Sequence, residues 1–273
     1  MDNYIFSDGS AAPYISSRQN GRVAAAAKLS DKKYREIDSS FLCEGVKLTM
    51  EAARYGRITE TFIREDAAEE MTDTAAAARS AGAEVFVLAS PAFEKISTEK
   101  SPQGIISVAK FPESHTVWDG EIPEGFVLML DCVRDPGNLG TILRSACAFG
   151  IGTVVLSGCA DLYGSRTVRA AMGAIFKLNI RTVRCGEDFI RAMNRTGRRT
   201  VAAALGTSSL VLGQQEKRRD DCVVIGNEGH GISAGILAEC THRMRIPMAE
   251  NTESLNAAVA ASVILWEYRD PTI

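Results

Sequence analysis

The order of hydrophobic and polar positions divides the chain into two stretches that each alternate strands and helices. In the first stretch, apolar runs predict strands over Thr59–Arg64, Glu84–Leu88 and Gly104–Phe111, and a helical period predicts helices over Phe41–Tyr55 and Glu69–Ala81. These elements predict a small α/β domain.

The regions on either side of this domain carry weaker signals. Residues 1–35 show little periodicity, so we expect a loosely ordered basic arm that ends in a short helix around Ser30–Arg35. Residues 113–125 contain proline and glycine and have no hydrophobic period, which predicts a linker. The chain then divides into the arm, a domain over 36–112, the linker and a second domain over 126–273.

The second domain alternates more regularly. Its predicted strands are Phe126–Val133, Thr153–Leu156, Ile180–Val183, Thr200–Leu205, Cys222–Ile225 and Met244–Ile246, and its predicted helices are Leu139–Phe149, Thr167–Phe176, Asp188–Asn194, Ile232–Glu239 and Leu255–Arg269. Continuous apolar strands need cover on both faces, so we expect an α/β fold with a mostly parallel sheet and helices on each side. In such sheets, ligands bind in the loops at the carboxyl ends of the strands.

Composition excludes several classes of protein. With 45% hydrophobic and 24% charged residues the 273-residue chain is not typical of disorder, and no apolar run approaches the roughly 20 residues of a membrane helix. The first residues lack a basic segment followed by an apolar one, so we predict a cytoplasmic protein that does not enter a membrane. Seven cysteines without a C-x-x-C pair, and only three histidines, indicate neither disulfides nor a metal site.

Charge is unevenly distributed, although the formal net charge is only −3. Residues 1–35 carry six basic and three acidic side chains, and residues 163–199 carry nine basic and two acidic ones. Such segregation suits an anionic polymer, and it is equally typical of a solvated basic surface. Charge alone therefore leaves the partner open.

Two loops at predicted strand ends hold unusual residues. The first, from Asp131 to Arg144, contains D-P-G-N, in which Pro-Gly predicts a turn and Asn138 is the expected N-cap of the next helix. The second, Gly226–Gly231, reads G-N-E-G-H-G, and its three glycines allow the backbone to approach a ligand closely. Taken singly, a capped helix and a simple turn explain these loops equally well.

A third loop, Ile246–Asn256, runs into an alanine-rich final helix. Its sequence I-P-M-A-E-N-T-E-S-L-N offers Ser254 or Asn256 as the helix cap. A structural role explains each of these features separately.

Taken together, the three loops are far more specific. D-P-G-N-x-G-T-I-x-R-x-A, G-N-E-G-x-G and I-P-M-x(5)-E-S-L-N occur in this order, about ninety and about thirty residues apart, and resemble the three motifs of the SpoU (TrmH-like) branch of the SPOUT RNA methyltransferases. Ser17-Arg-Gln-Asn20, Phe41-Leu-Cys-Glu-Gly45 and Pro102-Gln-Gly-Ile-Ile106 resemble the N-terminal substrate-binding domain of the family. One departure is Glu250, where many members have glycine.

The resemblance implies a deep trefoil knot in the C-terminal domain, S-adenosylmethionine (AdoMet) bound within it, and a homodimer formed through the knotted region. Carried over by motif, the cofactor-binding residues are Leu205, Gly206, Gly226, Asn227, Glu228, Gly231, Ile246, Met248, Ser254, Leu255 and Asn256.

The implied chemistry is methylation of a ribose 2′-hydroxyl in RNA. The methyl donor is already a strong electrophile, so the enzyme chiefly aligns the hydroxyl and weakens its proton. The resemblance assigns this role to Arg144, assisted by Asn138 and by Glu228. An arginine is a poor general base, so we favour a role in orienting the hydroxyl and stabilising the developing alkoxide, in a site shared between two subunits.

Basic residues of the two charged stretches are the candidate RNA contacts: Arg18, Lys32, Lys33, Arg35, Arg166 and Arg169. Structured ribosomal RNA is the first candidate substrate and transfer RNA the second. Two other classes remain as alternatives, a non-enzymatic RNA-binding protein that keeps the fold and a small-molecule enzyme on an ordinary doubly wound sheet. The first requires loss of motif residues such as Arg144 or Asn227, and the second a Rossmann fingerprint; neither is found.

Overall fold

The computed structural model describes residues 3–205, 209–214, 216–249 and 254–269. It contains two compact units, of which the first comprises Met1–Pro112 with Tyr163–Phe176 and the second Glu113–Leu162 with Lys177–Ile273. None of the helices in the described ranges is long and apolar enough to cross a membrane.

Strands and helices alternate along most of the chain. The strands are β1 (Asn3–Ile5), β2 (Ala11–Ile15), β3 (Ser40–Glu44), β4 (Ile58–Arg64), β5 (Glu84–Leu88), β6 (Ile105–Lys110), β7 (His115–Val117), β8 (Val127–Asp131), β9 (Thr153–Ser157), β10 (Asn179–Val183), β11 (Thr200–Ala203), β12 (Leu210–Val211), β13 (Cys222–Ile225) and β14 (His242–Arg245). The helices are α1 (Gly21–Lys28), α2 (Lys32–Asp38), α3 (Val46–Arg54), α4 (Thr72–Ser80), α5 (Ser90–Glu94), α6 (Pro136–Ala148), α7 (Ser165–Ala171), α8 (Gly186–Arg195), α9 (Ala234–Glu239) and α10 (Ala257–Tyr268).

The first unit is built on a mixed six-stranded sheet in the order β1-β2-β5-β4-β6-β3. Its core contains Phe62, Phe93 and Ile106, which are fully buried, together with Val23 and Leu29 from the N-terminal segment.

The prediction of a loosely ordered arm over residues 1–35 is wrong. Strand β2 pairs with β5, α1 is capped by Asn20, and Val23 and Ala26 are buried in the core. Strands β1 and β2 are only 3 and 5 residues long, which is too short to show a hydrophobic period. Strand β2 is ordered by pairing with β5, which lies some 70 residues away in the chain.

The prediction of one helix over Phe41–Tyr55 is also only partly correct. Residues Ser40–Glu44 form β3, Gly45 follows at φ 104, and the helix begins at Val46. Phe41, Leu42 and Cys43 are consecutive buried residues, and a short continuous apolar run does not distinguish a strand from a buried helix.

The second unit has an eight-stranded sheet in the order β12-β14-β11-β13-β8-β9-β10-β7, in which every pair is parallel. Val127 and Met129 pack with α8 and α9, whereas Leu128 and Leu130, which point to the opposite face, are fully buried as well. The prediction of a parallel sheet covered on both faces is confirmed.

Part of the predicted linker, residues 113–125, belongs to this sheet. Strand β7 pairs with β10, and the Trp118 ring packs edge-on against Phe189 at 5.3 Å between centroids. A three-residue edge strand has no hydrophobic period of its own, so tertiary pairing alone creates it. Residues 163–176, placed in the second domain by the sequence, cluster instead with the first unit.

The trefoil knot stays a prediction, and residues 206–208 and 250–253 lie outside the described residues. The seven cysteines are all free thiols, and Cys43 and Cys222 are buried in the cores of the two units. Burial raises the pKa of the Cys159 thiol to about 12, so this thiol stays protonated at neutral pH.

A buried ion pair ties the final helix to the large sheet. Arg199 donates from Nε to Asp221 Oδ1 at 2.8 Å and from Nη2 to Oδ2 at 2.5 Å, and the Tyr268 hydroxyl donates to the same Oδ2 at 2.9 Å. Asp221 is completely buried and Arg199 is 9% exposed. The hydrogen bond to Asp221 raises the pKa of Arg199, so the guanidinium stays charged.

We expect Asp221→Asn to lower the free energy of unfolding by about 3–5 kcal/mol, because it leaves a buried guanidinium without its counter-charge. Urea unfolding followed by circular dichroism measures the loss. Glu36→Gln is the control, because its partner Lys32 lies 3.7 Å away on the surface, and it should change stability by less than about 1 kcal/mol. Equal losses in the two variants would contradict a structural role for the buried pair.

A candidate active site at the junction of three loops

Four neighbouring strands of the large sheet, in the order β14-β11-β13-β8, end at one edge. Because all four run parallel, their carboxyl ends lie together and the loops that follow them cluster. The three loops singled out in the sequence include those after β8, β13 and β14.

Asp135, and not Asn138, caps helix α6. Its Oδ1 atom accepts a hydrogen bond from the backbone N–H of Asn138 at 2.8 Å, and Pro136 occupies the first turn. The prediction of Asn138 as N-cap is therefore wrong. Asp135 and Asn138 are both residue types that cap helices, and the sequence does not show which of the two does so. The consequence is that the Asn138 side chain is available to the site.

Asn138 joins the three loops through its side-chain amide. Its Nδ2 donates to Glu228 Oε1 at 2.7 Å, and its Oδ1 accepts from Asn256 Nδ2 at 3.1 Å. Asn256 Oδ1 caps α10 by accepting from the backbone N–H groups of Ala258 and Val259, which confirms Asn256 as the cap. Because Asn256 Oδ1 accepts the capping hydrogen bonds, Asn256 Nδ2 is the group that donates to Asn138. Asn138 therefore accepts with Oδ1, and its Nδ2 is directed to the Glu228 carboxylate.

The second loop is a tight turn organised by Asn227. Its Oδ1 accepts from the backbone N–H of Gly229 at 2.9 Å and of His230 at 3.1 Å, and its Nδ2 donates to the carbonyl of Cys132 in the first loop at 2.9 Å. The backbones of Asn227 and Gly231 also pair with each other. Asn227 therefore shapes its own loop and fastens it to the first.

Asp131 is a positioning residue that the sequence did not single out. It ends β8, is 1% exposed, and accepts the backbone N–H of Ser233 at 2.7 Å, which holds the start of α9. The available signal was a carboxylate at the end of an otherwise apolar strand, since such a group is buried only with a partner.

The side chains implied as cofactor contacts surround the same edge. Leu205 is 66% exposed, and Ile246, Met248 and Leu255 are half-buried, so apolar surface is available to cover the faces of an adenine ring. Ser254 is exposed beside them. Gly206 and Glu250 lie outside the described residues.

Arg144 does not join this cluster within one chain. It is exposed on α6, six residues beyond Asn138, which corresponds to about 9 Å along the helix axis. Among the described residues it has no hydrogen bond or ion pair.

The six predicted RNA contacts differ in how exposed their side chains are and in whether they already form ion pairs. Arg35 is 5% exposed and donates to the carbonyls of Leu29 and Ser30, so its guanidinium does not lie at the surface where RNA would contact it. Lys32 forms a surface ion pair with Glu36, and Arg169 one with Glu99. The side chains that lie at the surface are Arg18, Lys32, Lys33, Arg166 and Arg169.

Several basic side chains of residues 163–199 have partners within the protein. Arg181 pairs with Glu121, Arg191 with Asp188 and Glu239, and Arg198 donates to the carbonyls of Pro123 and Gly125. The excess of +7 in this stretch therefore overstates the charge that it offers to a partner.

Comparison with known proteins assigns the class of this fold and site. The chain matches the SpoU rRNA Methylase family over residues 125–266 and the MRM3-like substrate binding domain over residues 20–107. The chain belongs to the SpoU rRNA methylase family.

Particular relatives extend over nearly the whole chain. It is 31% identical to the 23S rRNA (guanosine(2553)-2′-O)-methyltransferase RlmP of Bacillus subtilis, over 93% of this chain and 98% of that protein. It is 30% identical to the 23S rRNA (uridine(2479)-2′-O)-methyltransferase of Streptomyces viridochromogenes, over 94% and 92%. The AdoMet-bound rRNA methyltransferase of Sinorhizobium meliloti is similar in structure, with a TM-score of 0.78 and 30% identity over 94% of this chain and 97% of that one.

We expect Gly226→Ala to weaken AdoMet binding at least tenfold. A Cβ atom at this position would lie 2.3 Å from backbone atoms of Gly231 and Ile232, so the turn would have to open. Gly229→Ala is the matched control, because its Cβ would meet only Asn227 Oδ1 at 3.7 Å. Titration calorimetry measures both affinities, and equal affinities would show that this turn does not shape the cofactor site.

Proposed function

We infer that the protein transfers the methyl group of AdoMet to a ribose 2′-hydroxyl of ribosomal RNA, with 23S rRNA as the substrate. The observation that carries this inference is the junction of Asn138, Glu228 and Asn256, which brings the three family motifs to one edge of a parallel sheet. The relatives of Bacillus subtilis and Streptomyces viridochromogenes are named as 2′-O-methyltransferases of 23S rRNA, which supports the proposal. A cytoplasmic location is part of the proposal.

AdoMet supplies an electrophilic methyl group when bound, so the protein has to hold it and align the attacking oxygen. Ile246, Met248 and Leu255 cover the adenine, and the turn of Gly226–Gly231 holds the cofactor by its backbone. Glu228, oriented by Asn138, accepts a hydrogen bond from a sugar hydroxyl. These assignments are supported by the position of each residue at the carboxyl edge of the sheet.

Arg144 acts on the ribose from a second subunit. Its distance from Asn138 along α6 and its lack of a partner in the described part of its own chain support a site that two chains complete. Its planar guanidinium orients the 2′-hydroxyl and stabilises the negative charge that develops on that oxygen.

A groove between α6 and α10 supports the homodimer that this requires. It encloses about 510 Å³ and is lined mainly by apolar side chains, among them Phe149 and Trp266. On α10, Val259, Val263 and Trp266 are 49%, 38% and 53% exposed. Such a group of large apolar side chains at the surface is typical of a protein–protein contact. Asn138 and Asn256 line the same groove, so the interface and the site are adjacent.

The first unit binds the RNA. It contains the match to a substrate-binding domain, and α7 contributes Arg166 and Arg169 to it. An open cavity of about 770 Å³ lies beside both arginines and Lys100. Glu99 neutralises Arg169 in the free protein, so RNA would have to compete for that guanidinium.

The direct test is methyl transfer. We expect the purified protein with AdoMet to methylate an unmodified 23S rRNA transcript at one ribose 2′-oxygen, and the same position to be unmethylated in cells that lack the gene. Mass spectrometry of nuclease fragments locates the methyl group. A methyl group found on a base, or on transfer RNA alone, would contradict the proposal.

The shared site predicts complementation between two inactive variants. Arg144→Ala should lower the single-turnover rate on the order of 10²–10³-fold, the scale of losing one transition-state donor, and Asn138→Ala should also lower it strongly, because it releases Glu228 and Asn256. Equimolar mixing with subunit exchange should restore about a quarter of the wild-type rate, because half of the dimers then contain one intact site.

Each variant mixed with itself serves as the control, and sedimentation establishes the dimer. Arg144→Lys should recover part of the activity, since it keeps the charge without the planar fork. No recovery in the mixed dimer would place Arg144 and Asn138 in the same chain's site.

A further inference from the structure

Helices α1 and α2 follow each other directly in the first unit, and a buried arginine holds the turn between them. The turn between them is only Leu29–Asp31. Arg35 Nη1 donates to the carbonyl of Leu29 at 2.6 Å and to that of Ser30 at 2.8 Å, and Asp31 caps α2 through the backbone N–H of Lys33. The pair therefore presents its surface side chains in a fixed arrangement.

On this surface, two ammonium groups share one aromatic ring. Lys28 Nζ lies 5.4 Å and Lys33 Nζ lies 5.7 Å from the centroid of the Tyr34 ring. Each contact is a cation–π attraction that keeps an ammonium group near the ring. In the ranges that the structure describes, neither ammonium group has an ion pair with a carboxylate.

Several other basic side chains of the same unit already have partners. Arg22 is paired with Glu60 and Glu84. Lys110 Nζ donates to the carbonyl of Asp38, and Lys32 pairs with Glu36. Lys28 and Lys33 differ from these three, because their ammonium groups have no ion pair and no hydrogen bond among the residues that the structure describes.

Apolar surface adjoins the two cations. Ile37 is 65% exposed and lies one turn beyond Lys33 and Tyr34 on α2, so it belongs to the same face of the helix. A ring and an aliphatic side chain next to two ammonium groups match the chemistry of a nucleotide, whose phosphate is anionic and whose sugar and base present flat apolar faces. The surface lies within the match to a substrate-binding domain.

We propose that Lys28, Lys33 and Tyr34 bind one phosphodiester group of the rRNA substrate, and that Ile37 covers the adjoining nucleoside. The ammonium groups neutralise the phosphate and release its counterions, while the Tyr34 ring keeps both lysines directed to it. Arg35 takes part only by positioning, since its buried guanidinium holds the helix pair. This proposal rests on the proposed function, which supplies RNA as the ligand.

The test compares two double variants of the full-length protein with the same change in charge. Lys28→Gln/Lys33→Gln removes the proposed site. Lys95→Gln/Lys110→Gln removes two lysines of the same unit whose ammonium groups donate to the carbonyls of Arg18 and Asp38. Filter binding of an unmodified 23S rRNA transcript is measured over a series of KCl concentrations. We expect the first variant to raise Kd roughly tenfold at about 0.1 M salt and to reduce the salt slope by about 1 per lysine, and the control to change neither appreciably.

Two further variants distinguish the effect of the position of the two ammonium groups from the effect of their charge. Tyr34→Leu should also raise Kd, because it frees both ammonium groups without changing the net charge, and Tyr34→Phe should bind as the wild type does. AdoMet affinity, measured by calorimetry, should be the same in all variants, as should single-turnover methylation at saturating enzyme.

The failures are distinguishable. If the wild-type protein does not retain the transcript, the proposed function fails and this site with it. If the wild type retains the transcript and Lys28→Gln/Lys33→Gln binds as tightly as the control variant, this site alone is wrong. Loss of binding to phosphatidylglycerol vesicles in that variant, with rRNA binding unchanged, would assign the surface to a membrane and overturn the proposal.

Discussion

The two hydrogen bonds of the Asn138 amide are the interaction on which the candidate active site depends. One reaches Glu228 after β13 and the other comes from Asn256 at the start of α10. A short polar side chain can satisfy both only if the three loops lie within a few ångströms of one another, and parallel pairing of the strands brings them there. Asp131 and Asn227 add bonds from neighbouring loops, so the arrangement is fixed before any ligand binds.

Helices α6 and α10 connect this arrangement to the proposed dimer. Their first turns carry Asn138 and Asn256, their middles are joined by a 2.8 Å hydrogen bond between Ser145 and Ser262, and the apolar groove runs between them. At its far end α10 is anchored to the sheet by Tyr268 and the buried pair beneath it. A second subunit that covers the groove would therefore contact the same two helices that orient the site. The exposed Arg144 lies on one of these helices, α6.

The basic residues fall into three groups with different physical roles. Arg35 and Arg199 are buried and hold the backbone or a carboxylate, so they contribute to the fold. Others, such as Arg22 and Arg191, neutralise nearby acids on the surface. A third group, which includes Lys28, Lys33 and Arg144, is exposed and has no ion pair among the residues that the structure describes, so an anionic substrate meets these cations without competition from an internal acid. Counting charges along the chain does not separate these groups, because it ignores where each partner lies.

The sequence by itself determined the class of fold, the parallel sheet of the second unit and the three loops of the site. Long apolar strands and glycine-rich turns are local features, and capping depends on the next few residues, so the cap of α10 could be narrowed to Ser254 or Asn256. Tertiary structure alone decided the rest. Strands β2 and β7 exist through pairing with distant strands, Ser40–Glu44 became a strand because its apolar run is buried in a sheet, and Asp135 took the cap that Asn138 also suited. The contact of Asn138 with Glu228, 90 residues later in the chain, is likewise invisible to any local pattern, because it is created by the order of the strands in space.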